Sequence, residues 1–414
     1  MRLLCLSNGH GEDRIAAAVL QALQEGSGQI GLEALPLVGM GQAYRNLGIP
    51  LLGPVQVMPS GGFVYMDARE LTKDVRAGLL TLSWRQWQAI RAWVHKAPQQ
   101  SYILAVGDIW PLLLAWGSGA PYLFVATARS EYYVRDEAGP LVRRRWYQWL
   151  EGYGSSVFQP WERWLMSRKR CRAVFVRDSL TAGRLNRAAV SVHDCGNPMM
   201  DNLAPQGVLD LSACANSLRI LLLPGSREPE VYGNWAHILR ALPSVLEAVP
   251  RQSVQFLAAL APGLDAEVFA AAVRAQGWPP RPTSLAGDPG LSFGYGDVTL
   301  TLISQGFNDA LHGADLGIAL AGTATEQLVG LGKPVITFPG AGPQFTARFA
   351  ESQQRLLGPS VRLVDRPEQA GRALAELLRN PDLLQAIGQN GCRRMGTAGA
   401  AGRIAQVIET LISP

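Results

Sequence analysis

Short apolar runs alternate with helical patterns along this chain, and the cycle runs twice. The first set of candidate strands is 3–6, 32–38, 103–106, 122–125, 173–176 and 190–192. The second is 219–223, 254–257, 316–320 and 335–338, with weaker runs at 298–302 and 361–364. Runs this short and this apolar are buried on both faces, and helices between them impose parallel pairing. A break falls at 201–217. With 414 residues, the expectation is an α/β chain of two doubly wound, Rossmann-like domains. The first spans 1–204 and the second 205–395. A last helix in 396–414 is free to pack on either one.

Composition removes several classes. A content of 48% hydrophobic and 17% charged residues fits a globular chain with a large core rather than disorder. No apolar run reaches the roughly 18 residues a membrane span needs. The first residues read as a strand and not as a secretory leader. The cysteines, 5, 171, 195, 214 and 392, form no metal-ligand or disulfide spacing, so no metal is expected and a reducing cytoplasm is the expected compartment.

Three turns carry candidate chemistry. "SNGHGED" follows the first strand and opens a helix: Gly9 and Gly11 allow close backbone approach, and His10, Glu12 and Asp13 bring titratable groups. The two acids also suit the positive end of the helix dipole. "LLLPGSREPE" ends a strand and places Gly225, Ser226 and Arg227 in a turn, where a guanidinium fork and backbone N–H groups suit an anion. "AGTATEQ" places Gly322, Thr323, Ala324 and Thr325 at a helix start, with Glu326 and Gln327 within reach of a vicinal diol; Thr323 with Glu326 also fits a capping box. The G-x-G-x-x-G spacing and the P-loop lysine are absent.

Together, "LLLPGSR" and "ADLGIALAGTATEQLVGLGKPVI" resemble lipid A disaccharide synthase, and "VGMGQAYRNLGI", "AVGDIWPLLLAW" and "CGNPMMD" resemble, in order, elements of its first domain. The chain is similar to the cyanobacterial lipid-A-disaccharide-synthase-related proteins. Its first turn resembles that of the peptidoglycan N-acetylglucosaminyltransferase, as does "GPQFTARFAESQQ", in which Gln344 takes the place of a residue touching the donor sugar. The resemblance implies a GT-B fold, two Rossmann-like domains facing across a cleft. It further implies an inverting, metal-independent glycosyltransferase that needs no cofactor beyond its UDP-sugar donor. Gly225, Ser226, Arg227 and the amides after Gly322 would hold the diphosphate. Phe307 would wall the base, and Glu326 or Gln327 would meet the ribose. Asp108, at the end of "YILAVGD", is the first candidate for the general base and His10 the second, with Asp13 in the same catalytic set. Asp108 also fits a helix cap. Gly9, Gly11, Glu12 and Asn197 would line the acceptor side.

Nine of the eleven tryptophans lie between Trp84 and Trp164. Eight basic residues against two acidic ones give 143–172 a charge of +6, more than the +5 of the whole chain. In "LLTLSWRQWQAIRAWV", Leu80, Trp84, Trp87 and Val94 share a helical face. Tryptophan with arginine suits an anionic membrane surface, and equally a Trp-filled core under a solvated Arg face. No nucleic-acid motif accompanies the patch. The resemblance implies a UDP-sugar and a lipid or lipid-linked acceptor as partners, and the patch adds the expectation of contact, through 80–172, with the cytoplasmic face of a membrane. A UDP-sugar 2-epimerase and a non-catalytic binding protein of the same fold are the competing expectations.

Overall fold

The computed structural model describes residues 1–26, 30–56, 78–141, 156–187, 190–283, 285, 290–340 and 342–412, the His10 side chain excepted. Two compact units divide the chain. Met1–Val134, Pro140–Asp201 and Thr397–Pro414 form the first; Arg135–Gly139 and Asn202–Gly396 form the second.

The first unit is built on β1 (Arg2–Ser7), β2 (Gly31–Pro36), β3 (Ser101–Val106) and β4 (Tyr122–Val125). The chain next makes a separate two-residue pair, β5 (Arg135–Asp136) and β6 (Gly139–Pro140), mostly counted with the second unit, and then returns to this sheet with β7 (Cys171–Val176) and β8 (Val192–Asp194). The sheet order is β2-β1-β3-β4-β7-β8, and its pairings are parallel. The period of two sorts the strand residues cleanly. Leu4, Leu6, Ile103, Ala105 and Phe124 join Ile90, Trp93 and Leu165 in one core. Leu3, Cys5, Leu104, Val106 and Phe175 join Ile15, Val19, Ile404 and Ile408 in the other. Each such fully buried Leu or Ile contributes roughly 1.5–3 kcal/mol. The helix Ala400–Ile412 thus completes the same layer as the helix His10–Glu25. Asp201 secures it: its carboxylate accepts from the N–H groups of Gly399 (2.7 Å), Ala400 (3.0 Å) and Ala401 (2.7 Å), the positive end of that helix.

The second unit has β9 (Leu218–Leu223), β10 (Val254–Ala259), β11 (Pro280–Arg281), β12 (Ser292–Tyr295), β13 (Val298–Ile303), β14 (Leu316–Ala319), β15 (Val335–Thr337) and β16 (Val361–Leu363). Their order is β11-β12-β13-β10-β9-β14-β15-β16. The sheet is parallel except at β11 and β12, which pair antiparallel. Ile220, Leu222, Phe256, Ala258 and Ile318 face Trp235, Ile238, Leu242 and Phe269 in a large core on one side of the sheet.

The segment "QGFNDALHGAD" has a structural role that its sequence does not announce. Asp309, on the helix Phe307–Gly313, is buried and accepts from four consecutive backbone N–H groups, those of Gln206, Gly207, Val208 and Leu209, at 2.6–3.0 Å. Asn308 donates to the carbonyls of Asn202 and Ala204, and His312 Nε2 lies 2.9 Å from the Leu203 carbonyl. The start of the second unit is thereby clamped to this helix. Burial alone would push the Asp309 carboxyl up; the four amides together hold it below the ordinary carboxylate range. Because its folded-state pKa is lowered, this contribution is present above the ordinary carboxylate range and lost as pH falls through the folded value. Asp309→Asn would aim an NH₂ group at two of the four donors. Urea unfolding is expected to show a loss of roughly 2–4 kcal/mol for Asp309→Asn, as for Asp309→Ala.

Candidate functional site

In the second unit the helix following β9, Glu230–Ala248, covers one sheet face. The helix following β14, Thr323–Gly330, lies on the other, with Leu328 over Gly317. β9 and β14 are neighbours, so a crevice opens beyond their carboxyl ends, where the two connections part. The loops touch there. Gly225 has φ +106°, and a Cβ on it would stand 3.3 Å from the Leu320 carbonyl, so a side chain there would be strained by the backbone and tight against that oxygen. Ser226 and Arg227 are exposed beside it. Across the crevice Gly322 occupies the N-cap position of the helix Thr323–Gly330, and no side chain caps it. The expected Thr323–Glu326 capping box is absent because Thr323 is already helical. Thr323 is exposed and Ala324, Glu326 and Gln327 are half-buried. Thr325 is fully buried, its hydroxyl donating to the Ala321 carbonyl at 2.6 Å, which leaves only its backbone for a ligand.

Residues outside the expected set knit these loops together. Asn234 Nδ2 donates to the Pro224 carbonyl. Glu230 accepts from the N–H groups of Gln344 (3.1 Å) and Phe345 (2.6 Å), fastening the exposed Gln344 turn to the start of the Glu230–Ala248 helix. Phe307, half-buried, opens the clamp helix.

The first unit repeats the arrangement at β1 and β3, whose following helices lie on opposite faces. Gly107 has φ +123°, and a Cβ there would meet Glu12 Cγ at 3.1 Å and Asn8 Cβ at 3.2 Å; the turn 8–12 and the turn 107–108 are packed together. Gly9, with φ 140°, precedes the helix that His10 opens, and Gly11 is exposed. The His10 side chain lies outside the described residues. Asp108 caps the helix Ile109–Gly117, accepting from Trp110 N–H at 2.9 Å, and remains half-buried. Burial first, and the Glu12 and Glu162 carboxylates after it, push its carboxyl up to about 6, against the Trp110 amide and the Arg129 guanidinium. Arg129 is itself held by buried Glu162 at 2.8 Å.

Two expected site residues are interior instead. Asp13 is buried and accepts from Ser7 Oγ at 2.5 Å, and Ser7 Oγ accepts from Tyr44 at 2.5 Å. This chain ties β1 to the helices His10–Glu25 and Gln42–Asn46, which share one core. Asn197 is fully buried and accepts from Met199 N–H, capping its own short turn, so its side chain lines no open surface.

Of the Trp/Arg region, 142–155, with "RRRWYQWL", lies outside the described residues. On the helix Leu79–Lys96, Leu80 and Trp84 are exposed, Trp84 at 57%, while Trp87 is half-buried and Val94 turns into the core. Trp161 (59%), Trp164 and Leu113 are exposed on the two neighbouring helices. Trp84 stacks on Trp87 at 4.9 Å, Trp87 lies against Gly117, and Trp116 meets Trp164 edge-on at 5.6 Å. Arg91 and Arg168 stand over Trp87 and Trp164. The patch is continuous, with cations at its border. No helix among the described residues is long and apolar enough to cross a membrane.

No family model matches the sequence, and no curated protein matches it. Solved structures do resemble it in fold. MurG of Acinetobacter baumannii matches with a TM-score of 0.57 at 14% identity, over 99% of both chains. The UDP-GlcNAc 2-epimerase of Neisseria meningitidis, bound to UDP-GlcNAc, gives 0.55 at 14% identity, over 100% of this chain and 99% of the other. The glycotransferase of kitacinnamycin gives 0.57 at 15%, over 99% of both. The chain has the GT-B fold, with a Rossmann-like α/β domain in each unit.

Burial pushes the Asp13 carboxyl up to about 6, against the Ser7 hydroxyl and the Gly9 backbone. A raised folded-state pKa means that the protonated form favours the fold; the contribution is present below about pH 4 and lost as pH rises through about 6. Asp13→Asn keeps the acceptor for Ser7 without the buried charge. Thermal unfolding is expected to find the variant more stable than the wild type above about pH 6, by on the order of 2 kcal/mol, with the advantage gone by about pH 4.

Proposed function

We propose that the chain is an inverting glycosyltransferase that moves a sugar from a UDP-sugar to a lipid or lipid-linked hydroxyl at the cytoplasmic face of a membrane. The observation that carries this is the contact between Gly225 and Leu320, which sets exposed Ser226 and Arg227 beside the uncapped start of the helix at Gly322. A guanidinium and a helix N-terminus across one crevice suit a diphosphate. As the bond from the anomeric carbon to the leaving oxygen breaks, charge grows on the diphosphate, and these groups stabilise it without a metal. The acceptor oxygen attacks the anomeric carbon, and its proton passes to Asp108. A carboxyl raised to about 6 is ionised at neutral pH yet basic enough for that role. Glu326 or Gln327 accepts from the ribose. The fold shared with a UDP-GlcNAc-bound enzyme and with MurG supports this reading, and so do the lipid A disaccharide synthase motifs.

The proximity of Glu12 to Asp108 favours a second reading, 2-epimerisation of the UDP-sugar, since paired acids suit proton removal and return at carbon 2. Incubation with a UDP-sugar alone, and then with membrane lipid extract, separates the two. Glycolipid formed only with extract supports transfer; a C2 epimer formed without extract overturns it.

Arg227→Ala is expected to weaken UDP binding by calorimetry roughly tenfold to a hundredfold. Asp108→Asn should leave UDP affinity intact and lower turnover by at least about a hundredfold. In the wild type, kcat/KM should rise with pH to a plateau above about 6, because the base acts deprotonated.

The exposed Trp patch gives the membrane expectation its test. The double variant Trp84→Ser, Trp161→Ser is expected to bind vesicles containing anionic lipid roughly tenfold more weakly in a sedimentation assay, with UDP affinity unchanged.

A further inference from the structure

The helix Ala347–Leu357 buries Ala350, Gln353, Leu356 and Leu357. An amide therefore stands in an otherwise apolar stripe, and Gln353 is only 3% exposed. Its Nε2 donates to two successive carbonyls, Ala321 at 3.0 Å and Gly322 at 3.1 Å. Its Oε1 is buried and has no hydrogen-bond partner. An orphaned buried acceptor costs about 1–3 kcal/mol, which a leucine in this place would avoid. The two bonds that offset it have a geometric consequence. In a planar trans peptide the N–H points opposite to the preceding C=O. Drawing the carbonyls of Ala321 and Gly322 toward Gln353 therefore turns the N–H groups of Gly322 and Thr323 the other way. The Ala321 carbonyl is doubly held, since Thr325 Oγ1 donates to it as well.

We infer that Gln353 is a positioning residue for the anion-binding loop: it fixes the two peptide planes so that their amides are presented to the diphosphate of the nucleotide. This rests on the donor-site reading given under Proposed function. Gln353 does not touch the ligand, and its effect passes through the loop backbone. Nothing else in the apolar stripe of this helix supplies a donor; the Gly322 carbonyl also accepts from the Glu326 N–H at 3.2 Å, so Gln353 and Thr325 are the side chains that join the helix backbone in holding these two planes.

The test uses UDP as the probe and the full chain. Gln353→Leu removes both donated bonds together with the orphaned oxygen. It is expected to bind UDP roughly tenfold more weakly, while its thermal midpoint equals or exceeds that of the wild type. Undiminished affinity in a folded Gln353→Leu protein overturns the inference. If the wild type itself binds no UDP, the donor-site reading falls first, and the inference with it. Gln353→Glu gives a second measurement should the leucine variant not fold. Its carboxylate repels the two carbonyls when ionised and can donate to one when protonated. Its UDP affinity relative to the wild type should therefore recover as pH is lowered from about 8 to about 5.5. A pH-independent ratio of the two affinities counts against the orienting role.

Discussion

A parallel sheet covered by helices on both faces leaves only its ends for a ligand, and the connections leave room only where neighbouring strands send their helices to opposite faces. That constraint fixes everything else in this molecule. In the first unit it selects the junction of β1 with β3, and in the second that of β9 with β14. Close packing at Gly107, against the Glu12 and Asn8 side chains, and at Gly225, against the Leu320 carbonyl, brings the paired loops together in each case. Each junction taken by itself carries few candidate groups: a carboxyl of raised pKa in the first unit, and a guanidinium with an uncapped helix start in the second.

Around both junctions, polar side chains have been drawn inside to hold backbone. Asp13 with Ser7 and Tyr44 joins a strand to two helices, while Asp309 under its four amides, and Asn234 and Glu230 beside the Gln344 turn, hold loop backbone. Such groups are costly to bury unless they are satisfied. Most are satisfied by main-chain donors, which orders the turns without adding bulk. At the second junction Arg227 faces outward and is exposed.

The fold class was legible because strands buried on both faces are written as apolar runs, and runs such as 103–106, 219–223 and 254–257 stand out against their helices. The antiparallel edge was not. β11 and β12 lie in "PRPTSLAGDPGLSFGYGDV", where Pro and Gly read as loop; only the Gly296–Asp297 pair between β12 and β13 signals a hairpin. Gly225, Arg227 and Gly322 could be placed at their turns, since a glycine soon after a buried strand marks where the backbone turns or passes close to a neighbour. The interior roles of Asp13, Asn197 and Asp309 could not, because an acid or amide near a turn looks the same whether it points out or in. Gln353 was hidden for the opposite reason: on a helix, in a polar stretch, it resembles a surface residue. Its place at i+3 from Ala350 and i−4 from Leu357 is the one available sign. In the Trp-rich region, sequence spacing put Val94 on the same face as Trp84, whereas the helix turns it inward.

The first unit is stitched from chain segments at opposite ends of the sequence, since Ile404, Ile408 and Ile412 cover the same sheet face as Ile15 and Val19. A ribosome makes protein in one direction, so this layer stays unsealed through the synthesis of the whole second unit. During that interval the exposed face is a surface for chaperones or for aggregation. The order of maturation is then the reverse of the order of synthesis: the unit begun first is the last to close.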